Sequence, residues 1–201
     1  MQRVGSNIWI LVLFAICIGG CAFTQGNLNL AYTDAQAKKG PLASIRPLHV
    51  EIGEFVDVRR QTDKIGYKTN LYGMKTANIV TTRPVPEIVR EAFAAEFAKN
   101  GHLIGSSSKE IMVSGRITAF WFDVQLGFWT VQFMGTVSVD LTVTNNQIGL
   151  ALLTRTYQGH YNETSTGGLE GTWERIMNTA LERMIQETST DPKLIEALKS
   201  L

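Results

Sequence analysis

The thiols are the side chains with the clearest chemistry in this sequence, and there are two of them, Cys17 and Cys21. Both lie near the N-terminus, where Arg3 is the only charge and residues 8–18 form an unbroken run of eleven apolar residues. A basic start, a short apolar run and small residues at its end are typical of a secretory signal peptide. A membrane-spanning helix needs about 20 apolar residues, so this run is too short to be one.

Ile18, Gly19, Gly20 and Cys21 resemble the lipobox that lipoprotein signal peptidase recognises. This resemblance implies that residues 1–20 are removed and that Cys21 becomes an N-terminus carrying a diacylglycerol and a further fatty acid such as palmitate. Two or three acyl chains, at about 0.8 kcal/mol per buried methylene, anchor a protein lastingly. We therefore expect membrane attachment through Cys21, with a plain secreted protein or a signal anchor as the alternative.

Ala22, rather than Asp, follows the lipobox. By analogy with enteric sorting rules, this residue favours the periplasmic side of the outer membrane over the inner membrane. Because Cys17 lies in the leader and Cys21 is modified, no thiol is left for a disulfide, a nucleophile or a metal site.

The other polar residues form no recognisable catalytic or metal-binding pattern. His49, His102 and His160 are far apart and lack the spacing of metal ligands. The sequence has no nucleophile elbow, P-loop or dinucleotide-binding glycine motif, and Ser106–Ser108 is most simply a solvated loop. We therefore expect no enzymatic activity, no cofactor and no metal, although scattered carboxylates leave a paired-carboxylate hydrolase open.

The balance of charge argues against a nucleic-acid partner. Without Arg3, the 19 basic side chains become 18, which equals the 18 acidic ones. A nucleic-acid-binding protein needs a basic patch to meet the phosphate backbone, and no cluster of Lys and Arg occurs here.

Asp57, Arg59 and Arg60 are the most conspicuous polar group. Two guanidinium groups held in place could bind a phosphate or a carboxylate. The alternative, which we favour, is a structural Asp–Arg pair that holds the loop after the first strand.

Aromatic residues concentrate in a predicted hairpin. They are Phe120, Trp121, Phe122, Phe128, Trp129 and Phe133. Folding the hairpin about Gly127 predicts the cross-strand pairs Val113–Leu141, Ile117–Val137 and Trp121–Phe133. The helices would then cover Trp121 and Phe133, and Phe120, Phe122, Met112 and Met134 would form an apolar stripe on the opposite face. Such a stripe indicates an interaction surface, unless residues 65–83 cover it.

Hydrophobic periodicity predicts the surrounding elements, which must position these groups. Residues 21–41, which begin with the lipidated Cys, show neither period and are predicted to be a flexible tether. A strand follows over 48–58, and then a partly ordered excursion over 61–83. The remaining elements are a helix over 84–99, three strands between 111 and 161, a helix over 169–185 and a short helix opened by Asp191-Pro192. Grouped strands predict the α+β class: an antiparallel sheet of three to five strands with two main helices packed on one face. Residues 42–201 would form a single domain.

The order of these features resembles the YajG-like family of small bacterial lipoproteins. The resemblance rests on the lipobox, the strand running into Asp57-Val58-Arg59, the helix ending in residues 98–101, the Trp121-Asp123-Val124 segment, and Tyr157-Gln158-Gly159 before a C-terminal amphipathic helix. It covers residue 47 to the end and implies a compact periplasmic α+β domain with a lipid anchor. It implies no particular activity.

We therefore expect a non-enzymatic, lipid-anchored protein of the cell envelope that binds or supports another envelope component. The alternative is an accessory lipoprotein of a trans-envelope transport system of the ABC type, which would carry lipid or hydrophobic cargo in a cavity between sheet and helices. An enzyme acting on the cell wall is a weaker third reading. A homo-oligomer is also left open.

Overall fold

The structure is a computed structural model that describes residues 23–33, 35–70, 72–105, 108–127, 129–165 and 170–201. The strands are β1 (Gly26–Leu28), β2 (His49–Asp57), β3 (Gly66–Thr69), β4 (Lys75–Thr81), β5 (Leu103–Ile104), β6 (Ile111–Leu126), β7 (Val131–Asn145) and β8 (Leu150–Ser165). The helices are a short 3-10 helix (Pro41–Ser44), α1 (Val85–Lys99), α2 (Glu170–Ser189) and α3 (Pro192–Lys199).

All eight strands belong to one mixed sheet, so the expected antiparallel sheet of three to five strands is wrong. The long strands β6, β7 and β8 are antiparallel to one another, as predicted, but β2 lies parallel to β6. Parallel neighbours need a long crossover connection, and the stretch from β3 to β5, including α1, provides it. The strands missing from the prediction are short, with three residues in β1 and two in β5.

Strand β6 organises the sheet because two strands share one of its edges. β2 pairs with its first half as far as Asp57↔Ile117, and β3 pairs with its second half at Gly66↔Phe122. The excursion predicted over 61–83 is thus an ordered hairpin of β3 and β4. On the outer side of this hairpin, β1 lies parallel to β4.

The flexible tether predicted over 21–41 is wrong from Gly26 onward. Besides forming β1, this segment buries three alternating side chains, Leu28, Leu30 and Tyr32. The Tyr32 hydroxyl donates a 2.8 Å hydrogen bond to Oε2 of Glu96, a carboxylate in α1 that is only 2% exposed. The segment is therefore part of the folded domain.

The two main helices follow the predicted periodicity and pack on one face of the sheet. In α1, Val85, Val89, Phe93 and Phe97 are buried, and Gly101 ends the helix with a φ of 93°. In α2 the buried side chains are Ile176, Met177, Ala180, Leu181, Met184 and Ile185. Asp191 caps α3 by accepting a hydrogen bond from the Lys193 N–H, as its position before Pro192 predicted.

Candidate functional site

The face of the sheet opposite the helices carries a broad trough, which we call the open face. Its volume is about 950 Å³, and it lies across β2, β6, β7 and β8. The side chains that line it include Glu54, Val56, Met112, Ser114, Arg116, Asp140, Thr142, Thr154 and Thr156. Alternation places them here, because the neighbouring residues in β6 and β7, such as Val113 and Leu141, point into the core.

Charged side chains and hydroxyl groups lie in the middle of the open face. Arg116 lies directly opposite Asp140 in the β6–β7 pair, and Oδ1 of Asp140 accepts a 2.7 Å hydrogen bond from the Thr156 hydroxyl on β8. Arg116 is exposed and forms no ion pair with another residue of the described chain. The trough can therefore offer a guanidinium and several hydroxyl groups to a polar partner.

Met112 and Met134, two of the predicted interaction residues, are half-buried on this face. Met112 lies against Gly53 of β2, where a Cβ atom would come within 3.1 Å of its Sδ atom. Met134 pairs with Asp123 and Asn162, nearer the other end of the sheet. The two methionines are far apart along the sheet, since Met112 pairs with Thr144 and Met134 with Asp123, so they do not form one continuous stripe.

Phe120 and Phe122 are fully buried, so their predicted role in an exposed stripe is wrong. A β-bulge at Thr118 is the reason: Ile117 pairs with Val139, but Ala119 pairs with Ser138. One extra residue in a strand reverses the side on which all later residues point.

After the bulge, the even-numbered residues of β6 therefore face the helices. Phe122 stacks on Phe133 at 6.0 Å and contacts Trp173 of α2 at 5.6 Å. The predicted pairing was also displaced, because Val113 lies opposite Val143 rather than Leu141. Trp121, expected under the helices, instead contacts Tyr67 of β3.

Arg59 is held in the fork that β2 and β3 form on β6. Its Nε and Nη2 atoms donate to the two carboxylate oxygens of Asp57 at 2.8 and 2.6 Å. Nη1 donates to the carbonyl oxygens of Lys64 at 3.0 Å and Phe120 at 2.8 Å. All three nitrogens are engaged within the protein and the side chain is 5% exposed, which supports the structural role over anion binding.

His49 in β2 pairs with Leu103, the residue that follows His102, whereas His160 lies on β8. No group of three potential metal ligands occurs among the residues that the structure describes. His102 is buried, and its Nδ1 atom accepts a hydrogen bond from the Leu48 N–H at 3.3 Å. Burial lowers the pKa of His102, while the nearby backbone of Leu42 opposes this shift.

Two tyrosines form buried hydrogen bonds with carboxylates. The Tyr157 hydroxyl donates to Asp191 Oδ2 at 2.6 Å, much as Tyr32 donates to Glu96. Burial and the adjacent carboxylate raise the pKa of both phenols, which keeps them protonated. Tyr32 thereby joins the N-terminal segment to α1, and Tyr157 joins β8 to the N-cap of α3.

The predicted leader, the cleavage-site residues Ile18, Gly19 and Gly20, and Cys21 lie outside the described residues, so their processing stays a prediction. Within the described ranges, no helix is both long and apolar enough to cross a bilayer.

The sequence reasoning missed the central residues of the open face, Arg116, Asp140 and Thr156. Their signal was the run of polar residues at even positions of the predicted hairpin. Alternation alone predicts that such residues lie on the solvated side of a sheet, and it does not show which of them come together.

Among solved structures, the protein XCC0632 from Xanthomonas campestris is similar to this chain with a TM-score of 0.61 and 12% identity, over 88% of this chain and 99% of that one. That likeness shows a shared fold. Weaker likenesses are lipoprotein GNA1162 from Neisseria meningitidis (TM-score 0.39, 8% identity, 70% of this chain and 99% of that one) and the PelC dodecamer from Paraburkholderia phytofirmans (0.38, 12%, 69% and 89%).

No curated protein matches the chain. A family model described as "uncharacterized lipoprotein" matches residues 54–199, which is most of the chain from β2 to the end of α3. The narrower resemblance to YajG-like proteins stays a prediction. The chain belongs to this family of lipoproteins, Lipoprotein_16.

Proposed function

We propose that this protein is a non-enzymatic lipoprotein of the cell envelope that is anchored through Cys21 and binds another envelope component with its open face. Membership of a lipoprotein family implies membrane anchoring. The observation that carries the binding role is the trough itself. One side of the sheet is covered by helices, and the other presents an exposed Arg116 among hydroxyl groups and carboxylates.

The composition of the open face favours a polar partner. Arg116 and Asp140 supply opposite charges at adjacent positions, and Ser114, Thr142 and Thr154 supply hydroxyl groups. Such groups give orientation and specificity, whereas an apolar ligand would leave them without partners. A protein with a polar, hydrogen-bonding surface fits this trough.

The same observations weigh against a carrier of hydrophobic cargo. That alternative expects a cavity between sheet and helices, but Phe93, Phe97, Ile176 and Leu181 fill this space and are at most 1% exposed. The large concavity lies on the polar side instead. This packing favours the binding role over the transport of hydrophobic cargo.

Placement on the periplasmic side of the outer membrane is part of the proposal and rests on Ala22 after the lipobox. In that position the open face would meet partners that reach the outer membrane from the periplasm. The proposal includes no metal, cofactor or nucleic acid.

Site-specific photocrosslinking in living cells tests the binding role. A benzophenone amino acid at Thr154 lies on the open face, and the same group at Lys193 of α3 serves as the control on the helix side. We expect a discrete adduct from position 154 alone, and we expect Arg116→Glu to abolish it while Arg60→Glu does not. Equal adducts from both positions, or an adduct indifferent to Arg116→Glu, would contradict the proposal.

A further inference from the structure

One row of paired residues crosses six strands of the sheet and fixes which loops lie at the same end. It runs through Gly26, Ile79, Gly66, Phe122, Gly135 and Tyr161, from β1 to β8. Beyond this row, β3 runs three residues further to Thr69 and β6 runs four further to Leu126. The β3–β4 turn and the β6–β7 turn therefore lie at the same end of the sheet.

The two turns expose large apolar and aromatic side chains. In the β3–β4 turn, Tyr72 is 88% exposed and Met74 is 58% exposed. In the β6–β7 turn, Trp129 is 83% exposed and Leu126 is 37% exposed. Trp and Tyr are the residues that membrane proteins concentrate at the membrane–water interface, because their rings are apolar and carry a polar group.

The N-terminal chain enters the sheet from this same end. Strand β1 runs parallel to β4, and β4 starts directly after the β3–β4 turn, so the residues before Gly26 lie toward the exposed turns. Gly26 itself lies against Lys68, next to the end of β3. Phe23, three residues before Gly26, is another exposed aromatic residue in this part of the chain, at 73%.

The site of lipid attachment is only two residues before Phe23. Two residues span at most about 7 Å, so acyl chains on Cys21 must enter the membrane close to this end of the sheet. Lys75, at the start of β4, is exposed and lies 4.1 Å from the Tyr67 ring. A lysine beside aromatic rings suits the boundary between lipid headgroups and water.

We call the end of the sheet formed by Tyr72, Met74, Leu126 and Trp129 the anchor end. Because the exposed aromatic turns and the entry of the N-terminal chain lie at this same end, we propose that the anchor end rests in the headgroup region of the membrane that holds Cys21. The inference rests on the proposed lipid attachment and adds an orientation to it. The strands then stand away from the membrane. Because β6 has 16 residues, the opposite end lies roughly 50 Å out, and the open face is turned sideways, accessible to a partner.

The opposite end provides a matched comparison, since it is also exposed and apolar. Ile148 is 68% exposed and Leu150 is 60% exposed, in and beside the turn between β7 and β8. These side chains are aliphatic, and they are separated from the entry of the N-terminal chain by the length of the sheet.

Depth-dependent quenching tests the orientation. The processed chain has no cysteine other than the lipidated Cys21, so Tyr72→Cys or Ile148→Cys introduces one free thiol for an environment-sensitive fluorophore. The full-length gene is expressed in bacteria, and the processed lipoprotein is reconstituted into vesicles of phosphatidylethanolamine and phosphatidylglycerol with nitroxide-labelled lipid. We expect the fluorophore at 72 to be blue-shifted and quenched several-fold more than the one at 148.

The outcomes separate this inference from the anchoring proposal. If the intact mass shows no acyl groups, or the protein does not float with vesicles, anchoring fails and the orientation fails with it. If the protein is acylated and floats, but the label at 72 is quenched no more than the one at 148, the orientation alone is overturned. A blue shift at 72 without quenching by lipid indicates contact with protein and also overturns it.

Discussion

Replacing Arg59 with Ala should destabilise the protein far more than replacing its neighbour Arg60. The Arg59 side chain is 5% exposed and makes four hydrogen bonds, two to the Asp57 carboxylate and two to the carbonyl oxygens of Lys64 and Phe120. It bridges the gap on β6 between the end of β2 and the start of β3. In the described part of the chain, no other cationic side chain is bonded to these acceptors.

The loss of stability can be estimated from the groups that lose their hydrogen-bond partner. In Arg59→Ala the Asp57 carboxylate, whose side chain is 13% exposed, loses its cation, and two carbonyl oxygens lose a donor. Removing one partner of a buried ion pair costs about 3–5 kcal/mol. For a domain of this size each kcal/mol corresponds to about 2–4 °C, so we expect the melting temperature to fall by about 6–20 °C.

Thermal unfolding followed by circular dichroism measures this change. Arg60→Ala is the matched control, because Arg60 is exposed and should change stability by no more than about 0.5 kcal/mol. The double variant Asp57→Asn/Arg59→Met should recover part of the loss, because no unpaired charge remains. If Arg59→Ala melts within 2 °C (roughly 0.5–1 kcal/mol) of Arg60→Ala, the structural role assigned to Arg59 is wrong.

Three further substitutions or conditions test other parts of the fold. In Gly159→Ala the new Cβ would overlap the Ala180 carbonyl and lie 2.5 Å from the Met184 nitrogen. Urea unfolding should therefore show a free energy of unfolding that is lower by about 1–3 kcal/mol. Gly171→Ala is the control, because the space around Gly171 is open and no such loss is expected. Tyr32→Phe removes a hydrogen bond to buried Glu96 and should lower the free energy of unfolding by about 1.5–3 kcal/mol in the same assay. An unchanged urea midpoint would show that the N-terminal segment does not stabilise the domain through this bond. Burial lowers the pKa of His102, so the unfolded state takes up a proton on this residue before the folded state does as pH falls below about 6.5. The free energy of unfolding should therefore decline below that pH by up to about 1.4 kcal/mol per pH unit. An equal decline in a His102→Asn variant would show that His102 is not the cause.

Much of the helical structure could be predicted because its signals are local. Val89, Phe93 and Phe97 recur at helical spacing, and Gly101 and the Asp191-Pro192 pair mark helix boundaries by backbone geometry that few other residues favour. These features need no knowledge of distant contacts. The structure accordingly has α1, α2 and α3 where the pattern put them.

The sheet was harder because its pairing is decided by distant residues. Both phases of the pattern are apolar between Ala119 and Phe122, so nothing local reveals the bulge at Thr118 that turns Phe120 inward. Strand β1 does have a local signal, the alternation of Leu28, Leu30 and Tyr32, but polar residues around it suggested a tether. Its partner β4 supplies the stability that three residues lack alone.

The candidate site was also hard to predict, because it depends on contacts between residues that are distant in sequence. Residues of β2, β6, β7 and β8 meet in the trough, and Arg116 acquires its setting from Asp140 and Thr156, which are 24 and 40 positions away in sequence. The charges are visible in the sequence, but their grouping depends on the register. Only the lipid attachment at Cys21 could be argued from consecutive residues alone.

Mass spectrometry of the N-terminal peptide from native membranes shows whether Cys21 is lipidated, which the proposed anchoring, placement and orientation all require. We expect the chain to begin at Cys21 and this residue to carry the mass of a diacylglycerol and a further acyl chain. An unmodified peptide that still begins near Met1 would contradict it, and with it the proposed anchoring, placement and orientation of the protein.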